Sequence, residues 1–259
     1  METIEKIQKA VKKEIDYVTG LYPFDISGYF DHEILYAKNA LSYFYTSPYK
    51  LMSMEKKDEK KILGLATGIE LLGIGLSLHT FDPGKDSDND YVLELLIGDI
   101  TYARAINYLL QHGDFDLFKL ILDSLKVSHN SRLLIHSKIE KSKAKDDITP
   151  DIKSIIEDRG LLMKASALLR QSCRISRKVF ESLYPENRLL KAIDTDVNGL
   201  SDLIALRQSI REIKMYLSDK GLLGEGNNGL GAFISEKDSA ISSDIKRLEK
   251  DLEELKKAL

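Results

Sequence analysis

Cysteine is almost absent from this sequence, in which Cys173 stands alone among 259 residues. A single cysteine excludes an internal disulfide and a cysteine-rich zinc site. Proline occurs five times, and strand-like alternation of polar and apolar residues is rare. Charged residues, by contrast, make up 31% of the chain and recur at helical spacing. Together these features predict an all-α protein.

The net charge is also small, and long apolar runs are rare. The formal net charge is −3 and no basic stripe is interleaved with aromatic residues, so nucleic acid is not an expected partner. Residues 1–18 lack the apolar core of a signal peptide. The most apolar run, 62–78, is shorter than the roughly 20 residues that cross a bilayer, and it has Glu70 in its middle. We therefore expect a cytoplasmic protein with no membrane span.

Apolar residues three and four positions apart mark a series of helices along the chain. Nothing marks a strong boundary between them, so the sequence predicts one domain over residues 1–259 with about ten helices. An irregularity is expected at Gly160. The helices that we predict are 3–19, 32–47, 62–80, 91–110, 114–126, 130–143, 149–180, 199–219 and 234–259.

Helices 62–80 and 91–110 are the most apolar pair and form the expected centre of the fold. Glycine occurs at four positions in the first of them: Gly64, Gly68, Gly73 and Gly75. Each of these glycines lowers helix propensity by about 0.8–1 kcal/mol relative to alanine. The sequence therefore predicts either a close approach to a neighbouring helix or a kink.

The connection between these two helices is acidic. Its four aspartates offer hard oxygen ligands for Mg²⁺ or Ca²⁺: Asp82, Asp86, Asp88 and Asp90. The last three begin like an EF-hand, but Tyr91 stands where the loop requires glycine and Ile97 where it requires glutamate, which excludes that motif. Capping chemistry favours a polar turn whose Asp90 caps the next helix, with a metal site as the alternative.

Other familiar motifs of binding and catalytic sites are incomplete in this sequence. The glycine-rich stretch 221–231 lacks the lysine and the Ser/Thr of a P-loop, and no predicted strand precedes it, so we expect a loop between helices. No two histidines stand four residues apart beside a catalytic glutamate, as a zinc hydrolase requires. His79 ends the first central helix, where a hydrogen-bonded helix-end histidine is expected.

One stretch resembles a known family. Residues 96–105, LIGDITYARA, followed by Gly113-Asp114, resemble the L-x-G-D-x-x-x-A-x-A…GD stretch of trans-polyprenyl diphosphate synthases. Upstream, residues 70–72 and 77–80 (ELL and SLHT) resemble the E-L-I-H-x-A-S-L-I-H helix that precedes it in the family. The residue-level match runs from about 62 to 114. It implies an isoprenoid-synthase-like helical bundle around a central cavity.

The departures from that family concern its metal sites. The enzymes carry D-D-x-x-D twice, because Mg²⁺ ions must bridge carboxylates to an allylic diphosphate whose ionisation is the reaction. Here TFDPG at 80–84 replaces the first motif, and its proline disfavours helical geometry at Asp82. The basic G-K-R-x-R-P motif is absent too. In place of the second motif, helix 199–219 offers Asp202, Glu212 and Asp219, with no adjacent acidic pair. Arg207 and Arg211 occupy the region instead.

Without both metal motifs, the chain is similar to heptaprenyl diphosphate synthase component one, a family of small subunits that pair with a catalytic large subunit. The resemblance implies a non-catalytic regulatory subunit of a heterodimeric long-chain polyprenyl diphosphate synthase in menaquinone biosynthesis. It implies no cofactor in this chain, Mg²⁺ in the catalytic partner, and contact with a prenyl diphosphate chain whose length the subunit helps to set. The candidate positions for a chain tunnel or a subunit interface are Gly68, Gly75, Ser77, His79, Asp99 and Ala103.

Two alternatives stay open at this point. One is a divergent Mg²⁺-dependent polyprenyl diphosphate synthase, active on its own, that uses the aspartates of the acidic connection in place of the lost motif. The other is an unrelated α-helical interaction protein whose glycine-rich core imitates the family.

Overall fold

The computed structural model describes residues 2–23, 25–26, 56–79, 88–113, 115–145, 147–186, 194–223 and 228–258. Within these ranges the chain forms nine α-helices and no strand, which confirms the all-α prediction. The helices are α1 (Glu2–Thr19), α2 (Lys56–Leu78), α3 (Asp88–His112), α4 (Phe115–Ser142), α5 (Thr149–Glu157), α6 (Arg159–Ala165), α7 (Ala167–Leu183), α8 (Asp194–Asp219) and α9 (Asn228–Ala258).

These helices belong to two compact units. The first unit comprises Met1–Leu125 and Gln171–Asn187, and the second comprises Lys126–Arg170 and Arg188–Leu259. The division therefore falls within α4 and within α7. Each unit has buried apolar side chains of its own.

Helix α2 lies in the core of the first unit. Buried side chains follow one another along it without a polar face, from Ile62 through Leu65 and Leu72 to Leu76. By length and composition alone, the segment Asp58–Leu78 is apolar enough to cross a membrane, and 83% of its most apolar window is buried inside the protein. The helix begins before Ile62, at Lys56, which is why this segment exceeds the shorter run expected from the sequence.

Helix α1 covers the central pair with one face. Its residues Ile7, Val11, Ile15 and Val18 are buried, at the spacing of three and four that predicted the helix. The Nζ of Lys6 lies 2.6 Å from a carboxylate oxygen of Glu59 on α2. The predicted helix 3–19 is confirmed to within one residue.

The second unit has a core built from α4, α5, α6, α8 and α9. Its fully buried side chains include Ile152, Leu162, Leu217, Leu230 and Ile234. Helices α8 and α9 run antiparallel, because Lys214 near the end of α8 contacts Ser235 near the start of α9. A Cβ at Gly199, near the start of α8, would correspondingly lie 3.8 Å from Leu248.

Two of the predicted divisions of the chain into helices are wrong. The sequence predicted helices 114–126 and 130–143, whereas α4 is a single helix. The intervening polar residues do not form a turn, because Ser128 is buried and its hydroxyl accepts a hydrogen bond from the backbone N–H of Leu168 at 2.9 Å.

Conversely, the single helix predicted over 149–180 is divided into α5, α6 and α7. It breaks at Asp158, two residues before Gly160, because the Asp158 side chain caps α6 by accepting from the N–H of Leu161 at 3.0 Å. A second interruption falls at Ser166. The predicted helix 32–47 lies outside the described residues.

Candidate functional site

Two of the candidate positions, Gly68 and Gly75, lie where α2 contacts α3. A Cβ at Gly68 would lie 2.9 Å from Cδ2 of Leu109 and 3.2 Å from the carbonyl oxygen of Ala105. A Cβ at Gly75 would lie 2.7 Å from Cδ1 of Tyr102. Carbon atoms in good contact are about 3.5–4.0 Å apart, so neither position has room for a methyl group. The two glycines therefore allow the close approach that the sequence predicted, and α2 continues through them without a break.

The same kind of contact extends to both ends of the helix pair. A Cβ at Gly64 would overlap the imidazole of His112, and a Cβ at Gly98 would overlap that of His79. Since Gly64 meets the end of α3 and His79 meets an earlier part of it, the two helices run antiparallel. His112 and His79 therefore each pack at a position where a residue larger than glycine would not fit.

The end of α2 brings several candidate residues together. The imidazole of His79 stacks on the ring of Tyr102, with 4.7 Å between centroids and 19° between planes. Its Nε2 lies 3.3 Å from Oδ1 of Asp99, a residue that is otherwise exposed. Ser77 is half-buried, and Ala103 lies on the exposed side of α3. The structure therefore clusters Gly75, His79 and Asp99 but leaves Ala103 on an outer surface.

Glu70 is an unusual residue for the middle of such a helix. Its side chain is buried, with 1% exposure, and its Oε2 has no hydrogen-bond partner among the described residues. Burial raises the pKa of this carboxyl well above its usual range, because the charged form loses its hydration. A carboxyl group in this position costs stability unless it is protonated or bound.

A polar cluster joins α1 to α3 and was not predicted from the sequence. The buried carboxylate of Glu14 accepts hydrogen bonds from Nε of Arg104 at 2.6 Å and from the hydroxyl of Tyr108 at 2.9 Å. Burial, followed by the hydrogen bond to Glu14, raises the pKa of Tyr108 to about 12. Arg104 also lies 4.5 Å above the ring of Tyr17. The one signal in the sequence was the spacing of four between Arg104 and Tyr108, which places both on one helix face.

In the second unit, arginines bind two of the acidic side chains in the region of the second metal motif, Asp202 and Glu212. Nε and Nη2 of Arg170 donate to the two carboxylate oxygens of Asp202 at 2.5 and 3.3 Å. Nη2 of the buried Arg132 donates to Glu212 at 2.6 Å, and the Gln208 amide donates to the same oxygen at 3.0 Å. Both carboxylates are therefore already neutralised by guanidinium groups.

The two arginines of α8 are engaged in turn. Arg207 and Arg211 each donate from Nε to Oδ1 of Asp238 on α9, at 3.1 Å. Their role in the described structure is to hold α9 against α8. No group of three or more His, Cys, Asp and Glu residues is placed to hold a metal ion within the described part of the chain.

The acidic connection can be located only in part. Asp82 and Asp86 lie outside the described residues, as do the side chains of Asp88 and Asp90. Helix α3 begins at Asp88, so Asp90 falls within the first turn rather than before it, and its predicted role as the N-cap is wrong. A carboxylate in the first turn is still favourable, because the N-terminus of a helix carries partial positive charge.

The described contacts thus provide a tight helix pair, a histidine beside a carboxylate at its end, a buried carboxyl group and a set of carboxylates held by arginine.

Comparisons of the chain with protein-family models, with curated proteins and with solved structures find no match.

Proposed function

We propose that this chain is a non-catalytic regulatory subunit of a heterodimeric long-chain polyprenyl diphosphate synthase, with an isoprenoid-synthase-like fold, that acts in the cytoplasm. The sequence resemblance over 62–114 supports the family. The observation that supports a lack of catalytic activity is that Asp202 and Glu212 form ion pairs with Arg170 and Arg132.

The physical argument concerns the leaving group. Ionising an allylic diphosphate requires Mg²⁺ ions held by clustered carboxylates, because the metals neutralise the charge that develops on the diphosphate. A carboxylate that already binds a guanidinium group offers little negative charge to a metal, and the fixed positive charge of Arg170 or Arg132 repels Mg²⁺. The catalytic partner would therefore supply the metal ions and the chemistry.

Within this proposal, the helix pair α2–α3 is the part of the chain that meets the partner or the growing prenyl chain. Asp99 and Ala103 are exposed on α3, which suits a subunit interface. Gly68 and Gly75 act differently, because they set the distance between the two helices. Ser77 and His79 lie at the end of α2, directly before the position at which the sequence resemblance expects the first aspartate-rich motif.

The test is reconstitution with a catalytic partner. The full chain would be co-expressed with each trans-prenyl synthase of the source organism, and the purified complexes assayed with Mg²⁺, an allylic diphosphate and labelled isopentenyl diphosphate. We expect stable binding to one synthase, no turnover by this chain alone, and longer products from the mixture. Failure to bind any of those synthases would refute the proposal. Turnover by the isolated chain that Asp86→Ala abolishes would instead identify a divergent Mg²⁺-dependent enzyme.

A matched pair of variants tests the interface. Ala103→Glu places a charge on the exposed side of α3, and Ala240→Glu places the same charge on an exposed position of α9. We expect the first to weaken binding of the catalytic subunit and the second to leave it unchanged, because a buried unpaired charge opposes association. Equal binding by both variants would exclude Ala103 from the interface.

A further inference from the structure

The part of α4 that lies in the second unit has an unusual distribution of polarity. Its exposed side carries three large apolar residues, Val127, Leu133 and Leu134, which are 41%, 43% and 48% exposed. Its buried side carries, besides two isoleucines, the polar residues Ser128, Ser131, Arg132 and Ser142. A helix that is merely solvated on its outer face usually shows the opposite arrangement.

The buried polar groups prevent this helix from turning its leucines inward. The guanidinium of Arg132 donates to the carbonyl oxygen of Ala165 at 3.3 Å as well as to Glu212, and Ser128 accepts from Leu168. Rotating α4 would break these bonds and leave polar groups buried without partners, which is costly. The apolar residues are therefore held at the surface.

Lysines border these apolar residues. Lys126, Lys138 and Lys141 are exposed, and none of them forms an ion pair with a residue that the structure describes. Positions 127, 130, 134, 138 and 141 are three or four apart and so share one side of the helix. Positions 126 and 133 lie four and three residues from position 130 and border the same side. The single acidic residue between 126 and 141, Glu140, is bound by Lys143 at 2.6 Å.

We propose that this surface, the lysine–leucine face (Lys126, Val127, Leu133, Leu134, Lys138 and Lys141), binds the surface of an anionic lipid bilayer. The apolar side chains enter the boundary between headgroups and acyl chains, while the lysines extend to the anionic headgroups. Unpaired lysine favours lipid over protein as the occupant, because lysine is depleted in protein–protein interfaces. This inference does not depend on the proposed function.

Vesicle binding by the full chain tests the inference. The chain would be sedimented with phosphatidylcholine vesicles that contain either no anionic lipid or about 30% phosphatidylglycerol. We expect binding to the anionic vesicles alone, and its loss in about 0.5 M salt, where charges are screened. With a net charge of −3, the chain as a whole does not attract an anionic surface, so binding requires a local basic patch.

Three variants locate the binding surface. Each lysine near an anionic surface contributes roughly a fivefold gain in partition, so Lys126→Gln/Lys138→Gln/Lys141→Gln should lower the partition coefficient roughly 100-fold. Leu133→Ser/Leu134→Ser should also weaken binding while leaving its salt dependence intact. The matched control, Lys246→Gln/Lys250→Gln/Lys257→Gln, removes the same charge from exposed positions of α9 and should bind as the unchanged chain does.

Far-UV circular dichroism confirms that each variant is folded, which is expected because every substituted side chain is exposed. Absence of binding to anionic vesicles would overturn the inference, and so would an equal loss in the control variant. Capture of an acidic polypeptide by the lysine–leucine face, without vesicle binding, would also overturn it and would assign the face to a protein partner.

Discussion

Replacing Gly68 with alanine should destabilise the first unit, although alanine is the better helix former. The new methyl group would lie 2.9 Å from Leu109 and 3.2 Å from the carbonyl oxygen of Ala105. Leu109 can change its rotamer, but the carbonyl belongs to the backbone of α3, so the two helices must separate. Gly68→Ala therefore tests whether α2 and α3 are as close as the structure has them.

The expected magnitude combines two opposing effects. Alanine gains about 0.8–1 kcal/mol of helix propensity over glycine. Overpacking of a close contact costs typically about 1–3 kcal/mol. Because a backbone atom limits relaxation at Gly68, the cost should exceed the gain, for a net loss of up to about 2 kcal/mol.

Gly199 provides the control, since a Cβ there meets nothing closer than Leu248 at 3.8 Å. Gly199→Ala should raise stability by up to about 1 kcal/mol. Urea unfolding followed by circular dichroism measures both variants, and hydrogen exchange in α2 and α8 assigns each change to its unit. If Gly68→Ala stabilises the chain as much as Gly199→Ala does, the close contact between α2 and α3 is wrong.

Two further substitutions probe buried polar groups. Because the folded state keeps the Glu70 proton that the unfolded state loses, stability should fall by up to about 1.4 kcal/mol per pH unit as pH rises above the ordinary glutamate pKa. Glu70→Gln should remove this slope in urea unfolding between about pH 5 and 9, and an unchanged slope would contradict the assignment. Arg132→Leu should cost about 3 kcal/mol in the same assay, because it strands the Glu212 carboxylate. Arg247→Leu, at an exposed pair, should cost under about 0.5 kcal/mol, and equal losses would contradict the buried role of Arg132.

The helices with regular apolar spacing were predictable from sequence. In α1, Ile7, Val11, Ile15 and Val18 are all buried, because periodicity records directly which face a helix turns inward. The glycines of α2 likewise predicted a close helix contact, since glycine is unfavourable in a helix without such a reason.

Tertiary hydrogen bonds explain what the sequence did not reveal. The polar stretch around Ser128 was interpreted as a break in α4, but its hydroxyl bonds to Leu168, forty positions away. Glu14 and Arg104 are ninety positions apart, and no local pattern joins them. The ion pair between Arg170 and Asp202 is of the same kind, since it joins residues 32 positions apart. Which groups bind the candidate carboxylates could therefore be learned only from the fold.

A prenyl-transfer assay of the reconstituted pair tests the proposed function most directly. Labelled isopentenyl diphosphate would be supplied with an allylic diphosphate to this chain alone, to the catalytic synthase alone, and to their purified complex, and product lengths would be compared. We expect no product from this chain alone and longer chains from the complex than from the synthase alone. Robust condensation by the isolated chain, or product lengths that its presence leaves unchanged, would contradict a regulatory subunit.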